Sequence, residues 1–130
     1  MSAKARIGHV ALWTRDLERL REFYRRYLGA ASNDGYHNPG KRFRSYFLTF
    51  ASGARVELMN VPQLAESTGY PHVGIAHIAF SLGSREVVDT LTERLREDGY
   101  AVLDGPRTTG DGYYESVVLD PDGNRLELTV

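Results

Sequence analysis

Apolar and polar residues alternate along some stretches of this chain and recur every three or four positions along others. IGHVALW (7–13) alternates and is rich in β-formers, which predicts a strand. Asp16 then opens a helix whose apolar stripe is Leu17, Leu20, Phe23, Tyr24, Tyr27 and Leu28, with Gly29 as its stop. SYFLTF (45–50) and ARVELMNV (54–61) read as strands joined by a short turn containing Ser52 and Gly53, and a weaker strand falls near Ala31–Tyr36. The pattern then starts again. IAHIAFSL (75–82) predicts a strand, and Ser84 caps a helix lined by Val87, Val88, Leu91 and Leu95 that ends at Gly99. YAVLDGP, YYESVVLD and NRLELTV predict three more strands, with DPDG (120–123) as the turn between the last two. The order is βαβββ twice, an α+β arrangement.

The two halves also match residue by residue. Ile7, His9 and Ala11 align with Ile75, His77 and Ala79, and Arg55, Glu57 and Leu58 align with Arg125, Glu127 and Leu128. The offset is 68 at the histidines and 70 at the glutamates, so one unit of about 65 residues occurs twice. We read residues 1–130 as a single domain, with unit one at 6–61, a connector rich in Pro, Gly and polar residues at 62–74, and unit two at 75–130.

Side chains alternate across a strand. Val56 and Leu58 therefore share one face, expected against the helix, while Arg55, Glu57 and Met59 share the other. Leu126 and Leu128 stand opposite Arg125, Glu127 and Thr129 in the same way. A carboxylate on a covered face is costly unless it is paired or binds a metal. Two histidines and two carboxylates, repeated in step, make a ligand set for a divalent cation. The competing reading pairs each glutamate with a nearby arginine and makes each histidine a satisfied core residue.

Composition narrows the field. The chain has 130 residues, 42% hydrophobic and 25% charged, with a net charge of −1. That size suits one domain with its own core, and that charge gives no case for nucleic acid or an anionic membrane. There is no apolar run long enough to span a bilayer and no apolar segment of a signal peptide in MSAKARIGHV. Without cysteine there is neither a disulfide framework nor thiolate chemistry. A cytoplasmic location is the default, although a cysteine-free chain is compatible with export.

The duplicated unit, the run HVALWTRDLERLREFYRRYLG and the ending LDPDGNRLEL resemble the vicinal oxygen chelate superfamily, over residues 6–130. That group includes glyoxalase I, methylmalonyl-CoA epimerase, extradiol dioxygenases, fosfomycin resistance proteins and bleomycin-binding proteins. The resemblance implies paired units curled into open half-barrel sheets with the helices outside, holding one divalent ion (Ni, Zn, Co or Mn). The implied ligands are His9, Glu57, His77 and Glu127. This set is similar to that of bacterial glyoxalase I, which implies a lyase or isomerase of the lactoylglutathione lyase type. Its chemistry runs through a metal-stabilised enediolate, with Glu127 as proton shuttle and Glu57 as its counterpart. A homodimer is implied as well, with the site within one chain or across two.

Some positions depart from glyoxalase I. Trp13 stands where the bacterial enzyme has a glutathione-binding arginine, and Asn60 is out of register with an asparagine of the same thiol site. Trp13, Tyr46, Tyr113 and Tyr114 are expected to line the cavity and stack on a flat ligand, although Tyr113 and Tyr114 also read simply as strand formers. Arg44 and Arg107 suit an anionic group, or a solvated or acid-paired role. Met59 and Glu115 complete the expected substrate contacts, Glu115 within GPRTTGDGYYES (105–116), which resembles a ligand-contacting segment. His37 and His72 read as surface residues. The alternative to an enzyme is a non-catalytic resistance protein that sequesters an aromatic antibiotic or natural product in the cavity.

Overall fold

In a computed structural model that describes residues 2–130, the chain divides into two compact units, Met1–Glu66 and Ser67–Val130. Unit one contains β1 (His9–Trp13), α1 (Leu17–Leu28), β2 (Ala31–Ser32), β3 (Tyr36–Asn38), β4 (Phe43–Thr49) and β5 (Arg55–Asn60). Unit two contains β6 (Ile78–Ser81), α2 (Arg85–Glu97), β7 (Val102–Thr108), β8 (Tyr114–Leu119) and β9 (Arg125–Thr129). The expected α+β fold is present, as two open sheets with one helix on each. The weak strand expected near 31–36 is split into β2 and β3, both paired with β4. His77 lies one residue ahead of β6, although the sequence pattern starts that strand at 75.

The sheet orders are β1-β5-β4-β2 and β6-β9-β8-β7. In each unit the first and last strands are neighbours and run parallel, while the remaining pairs are antiparallel. The helix supplies the crossover that such parallel pairing needs.

Both helices begin as the sequence predicts. The Asp16 side chain accepts from Arg19 N, and Ser84 Oγ accepts from Val87 N. Such a cap contributes about 1 kcal/mol by satisfying an orphan N–H. Helix α1 stops where Gly29 turns left-handed, at φ 66°. It buries Leu20, Phe23, Tyr24 and Tyr27 against Leu48, Val56 and Leu58. Helix α2 buries Val88, Leu91, Thr92 and Leu95 against Val118, Leu126 and Leu128. A polar contact within this second core is closed: Thr92 Oγ1 donates to Val88 O at 2.6 Å, so Ser116 Oγ donates to Thr92 Oγ1 at 2.7 Å. Each buried Leu contributes about 1.5–3 kcal/mol, so the cores hold the helices on the sheets. Among the described residues no helix is long and apolar enough to cross a membrane.

β7 slips register twice against β8, between Val102 and Asp104 and again between Asp104 and Arg107. Gly105 sits in this irregular stretch at φ 74°, where an added Cβ would stand 2.5 Å from Glu115 O. Gly53 also has positive φ, 82°, but open space around it. Gly105→Ala is therefore expected to cost about 2 kcal/mol or more through clash and strain together, against about 1 kcal/mol for Gly53→Ala. Urea denaturation of both variants measures the difference, and equal losses would show that the close approach to β8 carries no energy.

Candidate functional site

The parallel strand pairs set the site. In unit one, His9 lies opposite Arg55, Ala11 opposite Glu57 and Trp13 opposite Met59. With Val56 and Leu58 turned into the core, these six side chains share the face away from α1. His9 Nε2 stands 3.7 Å from Glu57 Oε1. Unit two repeats the arrangement, with Ala79 opposite Glu127 and His77 Nε2 3.2 Å from Glu127 Oε1. The alanine facing each carboxylate is small and leaves its flank open.

The histidine side chains are 44% and 39% exposed, and the glutamates 15% and 23%. The rings are thus reachable and are not core residues, while the carboxylates are largely covered. No arginine pairs with Glu57 or Glu127 among the described residues. Arg55 instead lies over the Phe47 ring at 4.4 Å, and Arg125 over Tyr70 at 3.5 Å. Each unit by itself brings together one imidazole and one carboxylate, and among the described residues no three His, Asp or Glu side chains form an ion-binding group. The donor chemistry fits a divalent first-row ion: borderline imidazole nitrogen and hard carboxylate oxygen, side by side.

A third acid belongs to the second face. Glu115 lies opposite Thr129 on β8, next to Glu127. Burial, a hydrogen bond to Glu127 and repulsion from Glu127 and Asp111 push its carboxyl up to about 6, against a weaker opposing pull from Arg107. One proton shared between two neighbouring carboxyls is the usual outcome of like charges at close range.

The remaining predicted residues divide by face. Trp13 and Met59 share the open face with His9 and Glu57. Trp13 meets Phe43 edge-on at 6.5 Å, and Phe43 meets Tyr36 at 6.1 Å. Phe47 lies opposite Glu57 and packs edge-on against His9 at 5.3 Å. Tyr36, Phe43 and Phe47 are open-face residues that sequence reading missed. Tyr46 faces the other way: it stands opposite Leu58, its hydroxyl donates to Glu18 on α1, and Arg21 covers its ring. The Glu18 hydrogen bond raises its pKa. Arg44 lies opposite Asn60 on that same helix-side face and lines a cleft of about 130 Å³ with Leu17, Asp34 and Tyr46. Tyr114 likewise donates to Asp89 on α2, beneath Arg85. Tyr113 is exposed at the tip of the β7–β8 turn. Arg107 is held by Asp104 at 2.9 Å. Asn60 donates to Thr14 O at 2.8 Å and ties the ends of β1 and β5 together. His37 falls on β3 and His72 in the connector, both exposed.

A family model described as Glyoxalase/Bleomycin resistance protein/Dioxygenase superfamily matches residues 6–128. The chain is 30% identical to the Bacillus subtilis (strain 168) uncharacterized protein YqjT, over 92% of this chain and 94% of that one. Among solved structures it is similar to a glyoxalase family protein from Enterococcus faecalis, with TM-score 0.77 and 27% identity over 95% of this chain and 96% of that one. The trypanothione-dependent glyoxalase I of Leishmania major shares the fold, with TM-score 0.73 and 24% identity over 97% of this chain and 86% of that one.

The raised Glu115 carboxyl has a consequence for stability. The folded chain keeps its proton up to about 6, while the unfolded chain releases it near the ordinary 4.5. Between those values the folded state binds more protons, so stability falls as pH rises through that window. In chelator-treated protein, Glu115→Gln is expected to remove this fall, and Glu127→Gln to return Glu115 toward its ordinary range by carboxyl ¹³C NMR. A Glu115 titration unchanged by Glu127→Gln would show that the two carboxyls do not interact.

Proposed function

The chain belongs to the Glyoxalase/Bleomycin resistance protein/Dioxygenase superfamily, and from that premise we propose that it is a divalent-metal-dependent lyase or isomerase of the glyoxalase I type. The observation that carries this reading is the twofold His–Glu pair, His9 with Glu57 and His77 with Glu127, on open sheet faces with no arginine neutralising either carboxylate among the described residues. In this reading the four side chains hold one ion among Ni²⁺, Zn²⁺, Co²⁺ and Mn²⁺, and both imidazoles bind in the neutral form. When bound, such an ion polarises two neighbouring substrate oxygens and stabilises the charge that develops on them.

The protein's own residues do the rest. Glu127 takes a proton from one carbon and returns it to the next, with Glu57 as its counterpart. Glu115, whose carboxyl is pushed up to about 6 by burial and by its hydrogen bond to Glu127, stands beside this base. Trp13, Met59 and Phe47 give the unit-one face an apolar surface for the substrate's carbon skeleton. Superfamily members commonly form dimers. A homodimer is part of this reading, because both sheets are open and present edge strands.

Calorimetric titration of chelator-stripped protein with Ni²⁺, Zn²⁺ and Mn²⁺ tests the ligand set. One ion per four ligands is expected, with affinity about 100-fold weaker in His77→Ala and in Glu127→Gln. Undiminished binding in both variants would overturn the assignment. With metal restored, isomerisation of the methylglyoxal–thiol hemithioacetal is the first assay, and Glu127→Gln is expected to lower its kcat by about 10²–10⁴.

One observation favours a second reading, that the protein sequesters a flat ligand without turning it over. Trp13, Phe43 and Tyr36 form a continuous aromatic run on the unit-one face, with Trp13 52% and Tyr36 56% exposed. Trp13 is the chain's single tryptophan, so its fluorescence reports on this run directly. Saturable quenching by an aromatic antibiotic in metal-free protein, with no turnover of any hemithioacetal, is the outcome expected of a sequestering protein.

A further inference from the structure

The connector and the start of β9 enclose a cleft of about 210 Å³. Its lining includes Ser67, Tyr70, His72, Asn124 and Arg125. Arg125 lies flat on Tyr70, its guanidinium carbon 3.5 Å from the ring centroid, and makes no ion pair among the described residues. Stacking uses the face of a guanidinium and leaves its in-plane N–H donors aimed outward. Five donors and a full charge, half-buried and without an acid, are the binding half of a bidentate oxyanion site.

The surroundings are held in place to complete it. Asp120, itself buried, accepts from the backbone N–H groups of Asp122 and Asn124 and from Asn124 Nδ2 at 2.8–2.9 Å, which fixes the turn that delivers Arg125. His72 Nδ1 donates to Val73 O at 2.9 Å, since a carbonyl can only accept, and this leaves Nε2 as the ring's remaining polar atom. The backbone Gly69 N–H donates to Ser67 Oγ, whose own proton stays available. Arg55, at the matching position of unit one, stacks on Phe47 of its own sheet, whereas Arg125 stacks on a ring supplied by the connector. The cleft is smaller than pockets that take a drug-sized molecule, roughly 300–1,000 Å³, and suits one charged group of a small metabolite.

Arg125 and Glu127 are two residues apart on one strand and share its open face, a separation of about 7 Å. We propose that Arg125, on its Tyr70 platform and flanked by His72 and the Asn124 turn, binds the carboxylate or phosphoryl group of a small substrate whose reacting end lies at the His77–Glu127 pair. This names the substrate class for the reading above and rests on that reading only for where the reacting end lies.

The test is a titration of the ¹⁵N-labelled full-length chain, metal-free and again after Ni²⁺ loading. The Arg125 Nε–H resonance is followed against inorganic phosphate, against glycolate, and against chloride at matched ionic strength. Saturation by phosphate alone assigns a phosphoryl group, saturation by glycolate alone a carboxylate, and either supports the site. Arg125→Gln, followed through the backbone amides of Asn124 and Tyr70, is expected to weaken binding about tenfold or more. His72→Ala, remote from both cores, is expected to weaken it less. Linear shifts no larger than those with chloride, or saturation undiminished in Arg125→Gln, would overturn the proposal. Loss of the metal-site assignment with phosphate or glycolate binding intact would remove the reading above and leave this cleft standing.

Discussion

Parallel pairing of the first strand of each unit with its last is the constraint on which the rest depends. Nothing else would place His9 beside Glu57 or His77 beside Glu127, since each pair is about 50 residues apart in sequence. The pairing requires a crossover, and α1 and α2 supply it. Each helix must then bury its apolar stripe, and its partners include Val56 and Leu58, or Leu126 and Leu128, on the last strand of the unit. Once those residues turn inward, alternation sends Arg55, Glu57 and Met59, or Arg125, Glu127 and Thr129, to the opposite face. The positions of the chemistry are thus set by hydrophobic burial. A shift of one residue would bury two charges under a helix, which no pairing in these cores could offset.

That argument explains which parts were legible from sequence. Strands 55–60 and 125–129 carry charge on one side and leucine on the other, so their inward face could be read directly. The helices announced themselves through stripe, cap and glycine. β4 gave no such signal. In SYFLTF each face carries aromatic residues, Phe47 between Ser45 and Thr49 on one and Tyr46 with Phe50 on the other, and its parity depends on how the connection at 50–54 sets the register with β5. The structure pairs Tyr46 with Leu58 and Phe47 with Glu57, so Phe47 faces outward and Tyr46 reaches α1. The same uncertainty hid Tyr114, which turns to α2, and revealed nothing of Phe43 or Tyr36. Arg107 was ambiguous for another reason. Its pairing with Asp104 depends on the register shifts in β7, which no alternation pattern encodes. The family resemblance supplied the four proposed ligand positions, and their alternation made the choice physically intelligible.

Register also allows the two units to be compared position by position. His9, Ala11, Arg55 and Glu57 correspond to His77, Ala79, Arg125 and Glu127. Around this common set the neighbours differ. Phe47 opposite Glu57 corresponds to Val117 opposite Glu127, and Ser45 opposite Met59 corresponds to Glu115 opposite Thr129. Trp13 opposite Met59 corresponds to Ser81 opposite Thr129. One open face is therefore aromatic and apolar, and the other hydroxylic and acidic.

The divergence falls where it changes ligand preference and spares the fold. The inward residues of the last strands are equivalent, Val56 and Leu58 against Leu126 and Leu128, so both units meet the same packing requirement there, although α1 fills its core with aromatic rings and α2 with aliphatic side chains. The His–Glu pairs are equivalent too, so both carry the same donor atoms. Taken one unit at a time, Trp13, Met59 and Phe47 suit an apolar or flat group, while Thr129, Ser81 and Arg125 suit hydroxyls and an anionic group. Glu115 sharpens the contrast. In unit one its place is taken by Ser45, which cannot raise or share a proton with Glu57. The two glutamates of the proposed set thus start from the same strand position and end in different surroundings: Glu127 has the Glu115 carboxyl hydrogen-bonded beside it, where Glu57 has Ser45.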